Sequence, residues 1–190
     1  MSGSAREEIL ARIKAATAAT GDRDAVAAWD ETRPVSVRPE LPGDIAAYFR
    51  AKAEANQISV QELPGLDRVP AAVALILAGA NLPPDICVAP ALRGLPWPST
   101  MEVRSAKARI DEKLTVTQAV AAIAEAGSVG LCSGDEGPSS LNYAAEIHVV
   151  VLDPADIMPY LEDGLAKVKA ACDPWPRAVN VVSGPSRTAD

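Results

Sequence analysis

A chain of 190 residues, 48% of them hydrophobic, is long enough for one well-buried core and too apolar to remain unfolded. Aromatics supply only 4%, so that core has to be built from Ala, Val, Leu and Ile. A net charge of −7 and a pI near 4.8 exclude the basic face that nucleic acid demands and the basic cluster that an anionic membrane surface attracts.

The N-terminus, Met1-Ser2-Gly3-Ser4, runs straight into a charged segment without an apolar signal region. Ser4 with Glu7 reads as a capping box, and Ile9, Leu10 and Ile13 form an apolar stripe at helical spacing. The spacing predicts an N-terminal helical arm that fades by Gly21. Residues 22–42 hold Pro34, Pro39 and Pro42 without any period and read as a linker. The expected organisation is therefore a helix and linker over residues 1–42 and an α/β domain over 43–190.

From Asp44 the pattern becomes regular. Asp44 can cap a helix with Ile45, Tyr48 and Phe49 on one face, and Ile58 and Val60 alternate as a short strand would. A second helix is expected from Val69, with Pro70 in its first turn and Ala72, Leu75, Ile76 and Ala78 turned inward. Its apolar stretch, Ala71 to Ala80, is too short to cross a bilayer, so no membrane insertion and a cytoplasmic location are expected. Asp85 to Val88 reads as a strand and Pro90 to Pro98, with Trp97, as a surface loop. Leu114 to Val116 reads as a strand, after which Thr117 can cap a helix through Val120, Ala121 and Ile123 that Gly127 ends. Ser128 to Cys132 reads as a buried strand and Ser133 to Asn142 as a Gly- and Ser-rich loop. Ile147 to Leu152 is the clearest strand. After the Asp153-Pro154 turn, Ile157, Leu161, Leu165 and Val168 mark a helix, and Ala178 to Val182 forms the last strand. Short apolar strands alternating with helices imply a mainly parallel sheet with helices on both faces.

Cys87, Cys132 and Cys172 are odd in number, dispersed, and contain no Cys-x-x-Cys. They suggest three buried or half-buried thiols, not a disulfide framework, and an iron–sulfur cluster needs one more ligand than the chain owns. With His148 as the single histidine, no metal site and no bound cofactor are expected.

Ligands of open α/β sheets bind beyond the carboxyl ends of the strands. The loops there with suitable chemistry are Ser133-Gly134-Asp135-Glu136-Gly137, the segment 139–142, and Ser183-Gly184-Pro185-Ser186-Arg187-Thr188-Ala189-Asp190. Free N–H groups at the Gly184 turn, the Arg187 guanidinium and the hydroxyls of Ser183, Ser186 and Thr188 would suit an anion. Ser133 and Gly134 are expected to join them. A capped turn with Arg187 paired to an acid is the structural alternative. His148 reads either as a half-buried histidine on a backbone carbonyl or as a proton donor or anion ligand. Glu125 reads either as a surface acid at a helix end or as a carboxylate nucleophile or base. Cys132 reads as core.

At these residues the chain resembles the LUD (lactate utilisation) domain proteins. The resemblance lies in Ala122-Ile123-Ala124-Glu125-Ala126-Gly127-Ser128, Cys132-Ser133-Gly134, Ile147-His148-Val149-Val150-Val151 and, most specifically, the octapeptide Ser183 to Asp190. It implies a NagB/RpiA/CoA-transferase-like α/β fold and a place among the proteins with which bacteria oxidise L-lactate to pyruvate, where partner subunits hold the iron–sulfur clusters. On this resemblance the loop from Ser183 to Arg187 is expected to bind a small carboxylate or other anion, or a partner subunit. Where the family often has Glu-Thr-Gly-Thr, this chain has Glu125-Ala126-Gly127-Ser128, one hydroxyl fewer. Family members usually continue past the octapeptide into a helix start, a Gly-His-Gly-Pro loop and a final strand, so part of the family site is expected beyond Asp190. A different class stays open: a stand-alone transferase or ligand-binding enzyme of CoA-transferase-like fold that uses Glu125.

Overall fold

The computed structural model describes residues 3–19, 38–105, 107–172 and 174–185. The chain divides into two units, Met1–Pro39 and Glu40–Asp190. The first contributes helix α1 (Gly3–Ala19), which carries an exposed i,i+4 ion pair between Glu8 and Arg12 at 3.3 Å. The Ser4 side chain and most of the expected linker lie outside the described residues.

In the second unit, Asp44 caps α2 (Ile45–Ala55) by accepting the Ala47 N–H at 3.0 Å, and Phe49 and Ala53 form its buried face. The helix ends in a Schellman arrangement. Gln57 adopts φ 65°, its N–H reaches Glu54 O at 2.9 Å, and Ile58 N–H reaches Ala53 O at 3.0 Å. This closure explains why Ile58 and Val60 make no strand: the Ile58 N–H is spent on the helix end. Both side chains still pack, half-buried, against the core beside α2.

Helix α3 (Val69–Gly79) begins with Pro70, as expected, and ends the same way around Asn81 at φ 54°. Its inward face differs from the expected one. Val73 and Leu77 are buried, whereas Leu75 is 71% exposed and Ala78 is exposed. The stretch is apolar all round, so periodicity alone could not set its phase.

A parallel sheet follows, with the order β2-β1-β3-β6: β1 (Asp85–Val88), β2 (Glu102–Arg104), β3 (Leu114–Gln118) and β6 (Ile147–Val151). Ile86, Val88, Leu114 and Val116 point to one face and pack against Val73 and Leu77. Cys87 packs with Leu141 of the 3₁₀ turn Ser139–Asn142, and Thr115 Oγ1 donates to Leu141 O at 2.7 Å. The Pro90–Pro98 stretch is more than a surface loop. Leu92 is buried, and Trp97 packs on the core with its Nε1–H on Leu92 O at 3.0 Å.

The chain is thus α/β with a parallel sheet, as the alternation implied. A second sheet of mixed direction was not implied. Its order is β7-β4-β5-β8, from β4 (Ala121–Ile123), β5 (Ser128–Cys132), β7 (Ile157–Met158) and β8 (Val179–Val182). The helix expected after Thr117 does not form. Gln118 ends β3, and residues 121–123 pair antiparallel with 128–130 through a turn in which Gly127 takes φ 63°. Ala119, Ala122 and Ala124 are buried there against Phe49 and Ala53. Alanine favours a helix in isolation, but here its small side chain lets α2 come close to the sheet, and that packing overrides propensity. The last helix, α4 (Leu161–Ala171), buries Gly164 and Val168, while Ile157 belongs to β7 instead.

Candidate functional site

Two segments far apart in sequence meet at the C-terminal end of α2. The Glu125–Ser128 turn and the Ser183-Gly184 step are joined by the Ser128 and Ser183 hydroxyls, 2.5 Å apart. Asn56, one residue beyond α2, donates its Nδ2–H to Ala126 O at 2.8 Å. Gly184 sits at φ 116° with the Asn56 carbonyl where a Cβ would be, and a Cβ on Gly127 would lie 2.5 Å from Ala53 N. Both glycines therefore serve conformation and close approach together.

Glu125 is half-exposed, and its Oε1 accepts the Leu161 N–H at 2.7 Å. The carboxylate thus occupies the N-terminal end of α4, where free N–H groups and the helix dipole favour negative charge. Its backbone N–H is held by Pro159 O at 3.1 Å. Glu125 is not at the end of a helix of its own, because that helix is replaced by β4 and its turn.

The expected clustering of Ser133 and Gly134 with Ser183 and Gly184 at one sheet edge is not what the fold builds. Strand β8 runs antiparallel to β5, pairing Cys132 with Val179 and Val129 with Val182. Ser183 therefore lies at the start of β5 and Ser133 past its end, about 17 Å of strand away. Two strands of one parallel sheet would have brought them together. Ser133 instead binds the beginning of β8: its Oγ accepts Ala178 N–H at 2.8 Å, and its N–H reaches Ala178 O at 2.9 Å. Ser186, Arg187 and Thr188 lie outside the described residues.

Gly134 lines a separate cleft of about 490 Å³ with Lys107, Asp135, Pro138, Ser139 and Ser140. Gly134 and Gly137 bridge each other, shaping the loop into a tight hairpin. Lys107 supplies the cleft's cation and Asp135 an opposing acid. Ser140 Oγ is engaged by the Ala108 N–H at 3.0 Å.

His148 belongs to the parallel sheet, in register with Thr115. Its Nε2 lies 2.7 Å from Thr117 Oγ1, so its partner is a hydroxyl and not the backbone carbonyl considered from the sequence. Burial pushes the imidazole down to about 4, leaving it neutral at physiological pH. It is thus poorly suited to hold an anion by charge. At the opposite end of the sheet, Arg104 bridges Asp85 at 3.2 Å and the buried Glu112. The Glu112 hydrogen bond, acting against burial, raises the Arg104 guanidinium above its ordinary range.

Sequence reasoning missed Asn56 and Lys107. An Asn closing a helical stretch is a recognisable end signal and could have drawn attention to Asn56. Nothing in the sequence distinguishes Lys107. Among the described residues no three of the His, Cys, Asp and Glu side chains converge to hold a metal ion. Among the same residues no helix is long and apolar enough to cross a membrane.

A family model described as the LUD domain matches residues 96–190, a span that contains the Glu125–Ser128 turn, the Gly134 loop and the Ser183 segment. A crystal structure of a DUF162 family protein from Deinococcus radiodurans is similar in fold. Its TM-score is 0.62 at 20% identity, over 77% of this chain and 90% of that one. No curated protein matches.

Proposed function

Because the chain belongs to the LUD domain family, whose name ties it to lactate utilisation, we propose that it acts as a subunit of the bacterial system that oxidises L-lactate to pyruvate. The subunit it would correspond to is lactate utilisation protein C. On this reading it carries no iron–sulfur cluster itself, works with partner subunits that do, and binds a small carboxylate or other anion. The observation that supports it is the meeting of the two resemblance-bearing segments, Glu125–Ser128 and Ser183-Gly184, through one hydroxyl pair and two close-packed glycines. The cleft lined by Lys107, Gly134, Pro138, Ser139 and Ser140 is of a size that suits a small ligand, with Lys107 as a cation at its wall.

The competing reading, a stand-alone transferase with Glu125 as nucleophile, is disfavoured by the Leu161 N–H bond. That bond commits one carboxylate oxygen to capping α4. The test is affinity capture of the tagged chain from cells grown on L-lactate and on a sugar. Copurification of an iron–sulfur protein from lactate-grown cells, with the chain alone colourless, is the expected result. A chain that captures no such protein, but forms an acyl-CoA-dependent covalent adduct on Glu125, would reverse the choice.

A further inference from the structure

Cys132 and Cys172 stand forty positions apart in sequence, yet the Cys172 thiol donates to the Cys132 sulfur at 2.7 Å. Nothing in their spacing pairs them. The fold does so because Cys132 ends β5 while Cys172 follows α4, with its N–H on Val168 O at 3.0 Å. Both thiols are half-buried, so a small oxidant can reach them. Cys87, by contrast, is fully buried in a separate cluster with Ala89 and Leu141.

We propose that Cys132 and Cys172 are a reversible modification site, oxidised by a hydroperoxide to an intrachain disulfide that clamps the end of α4 to the end of β5. Burial pushes the Cys132 thiol up to about 12. With the Cys132 thiol held protonated, Cys172 is assigned as the attacking sulfur and Cys132 as the resolving one. Cys172 sulfur attacks one peroxide oxygen, the O–O bond breaks, and the departing oxygen leaves as water, giving a sulfenic acid. Cys132 sulfur then displaces the sulfenic oxygen, and the Cys132 thiol proton leaves with it as a second water. Two thiols and one hydrogen peroxide thus yield one disulfide and two waters. A dithiol reductant reverses the step by exchange through a mixed disulfide.

The position gives the clamp a consequence. Cys132 directly precedes Ser133 and the Gly134–Gly137 hairpin, and that hairpin borders the Lys107 cleft. Fixing Cys132 to α4 therefore stiffens one wall of the cleft.

The full chain is treated with stoichiometric hydrogen peroxide, and the product is mapped by non-reducing peptide mass spectrometry. The expected product is a Cys132–Cys172 crosslink that has lost two hydrogens. It should raise Tm by roughly 10 °C, since it closes a loop of about 40 residues, and dithiothreitol should restore the original value. Amide exchange over Ser133–Gly137 should slow in the oxidised form. Cys87→Ser should leave all of this unchanged, and Cys172→Ser should abolish it. If Cys172→Ser does not fold, the wild-type peptide map alone decides. Sulfinic acid on a single cysteine, a crosslink to Cys87, or crosslinks between chains would overturn the site. A correct crosslink with unaltered exchange in 133–137 would overturn the clamp.

Discussion

The hydroxyls of Ser128 and Ser183 meet at 2.5 Å, joining the first residue of β5 to the residue after β8. Ser128 is buried, and its Oγ also lies 3.5 Å from Ala126 O. One hydroxyl must donate to the other; Ser128 is shielded, whereas Ser183 is exposed and can turn to water when its partner is removed. Ser128→Ala is therefore expected to cost about 1 kcal/mol, the net worth of one hydrogen bond. The double variant with Ser183→Ala should cost less than the two singles combined, by about 0.5–1 kcal/mol. A double-mutant cycle of urea unfolding measures this, and strict additivity would show that the two hydroxyls do not interact.

Gly127 and Gly184 hold the same junction by backbone. Each combines a positive φ with a neighbour in the space of a Cβ: Ala53 N for Gly127 and the Asn56 carbonyl for Gly184. The obstructing atoms are backbone atoms and cannot swing aside. Either Gly→Ala change is therefore expected to destabilise by about 2 kcal/mol or more. Gly134→Ala, which meets open space, should be near neutral. Thermal unfolding of the three variants gives the comparison, and equal effects at all three positions would refute it.

Much of this architecture was legible in the sequence, and the reasons are local. Asp44 capping α2, Pro70 opening α3 and the apolar runs of β1, β5 and β6 follow from side-chain chemistry within a few residues. The reading failed where distant packing decides. The Ala119–Ala124 stretch looks helical alone but becomes β4 because α2 presses on it, and Leu75 looks inward only because its helix is apolar on every side. The candidate site failed for a related reason. Strand direction is not written in the strand, so Ser133 and Ser183 were expected at one edge when the antiparallel β5–β8 pairing sets them at opposite ends.

His148 links burial to pH. Its folded value of about 4 lies below the ordinary 6.5, with burial as the cause. Between these two values the unfolded chain binds a proton that the folded chain refuses. The stabilisation is therefore complete above pH 6.5 and is lost as pH falls towards about 4, by about 3 kcal/mol at most. His148→Gln, which retains a hydrogen-bonding end for Thr117 without a titrating group, should flatten this part of the profile. Urea midpoints measured from neutral pH down to about pH 4 test it, and an identical slope in both proteins would assign the acid sensitivity elsewhere.

Arg187→Ala is expected to impair growth on L-lactate while leaving the domain folded. Arg187 follows Gly184 by three positions, and Gly184 is fixed against Asn56 at the junction where the two resemblance-bearing segments meet. By its charge alone, Arg187 is better suited to an anion or a partner surface than to the core. The proposed substrate and product are both carboxylates, which a guanidinium recognises with two parallel hydrogen bonds. An arginine that belongs to no buried network changes stability by only about 0.5 kcal/mol when lost, so a growth defect with unchanged unfolding separates binding from structure. Complementation of a strain lacking the protein, with thermal unfolding of the variant alongside, provides both readouts. Normal growth on lactate would remove Arg187 from the functional reading. A large fall in Tm would instead make it the partner of a buried acid, the alternative weighed from the sequence.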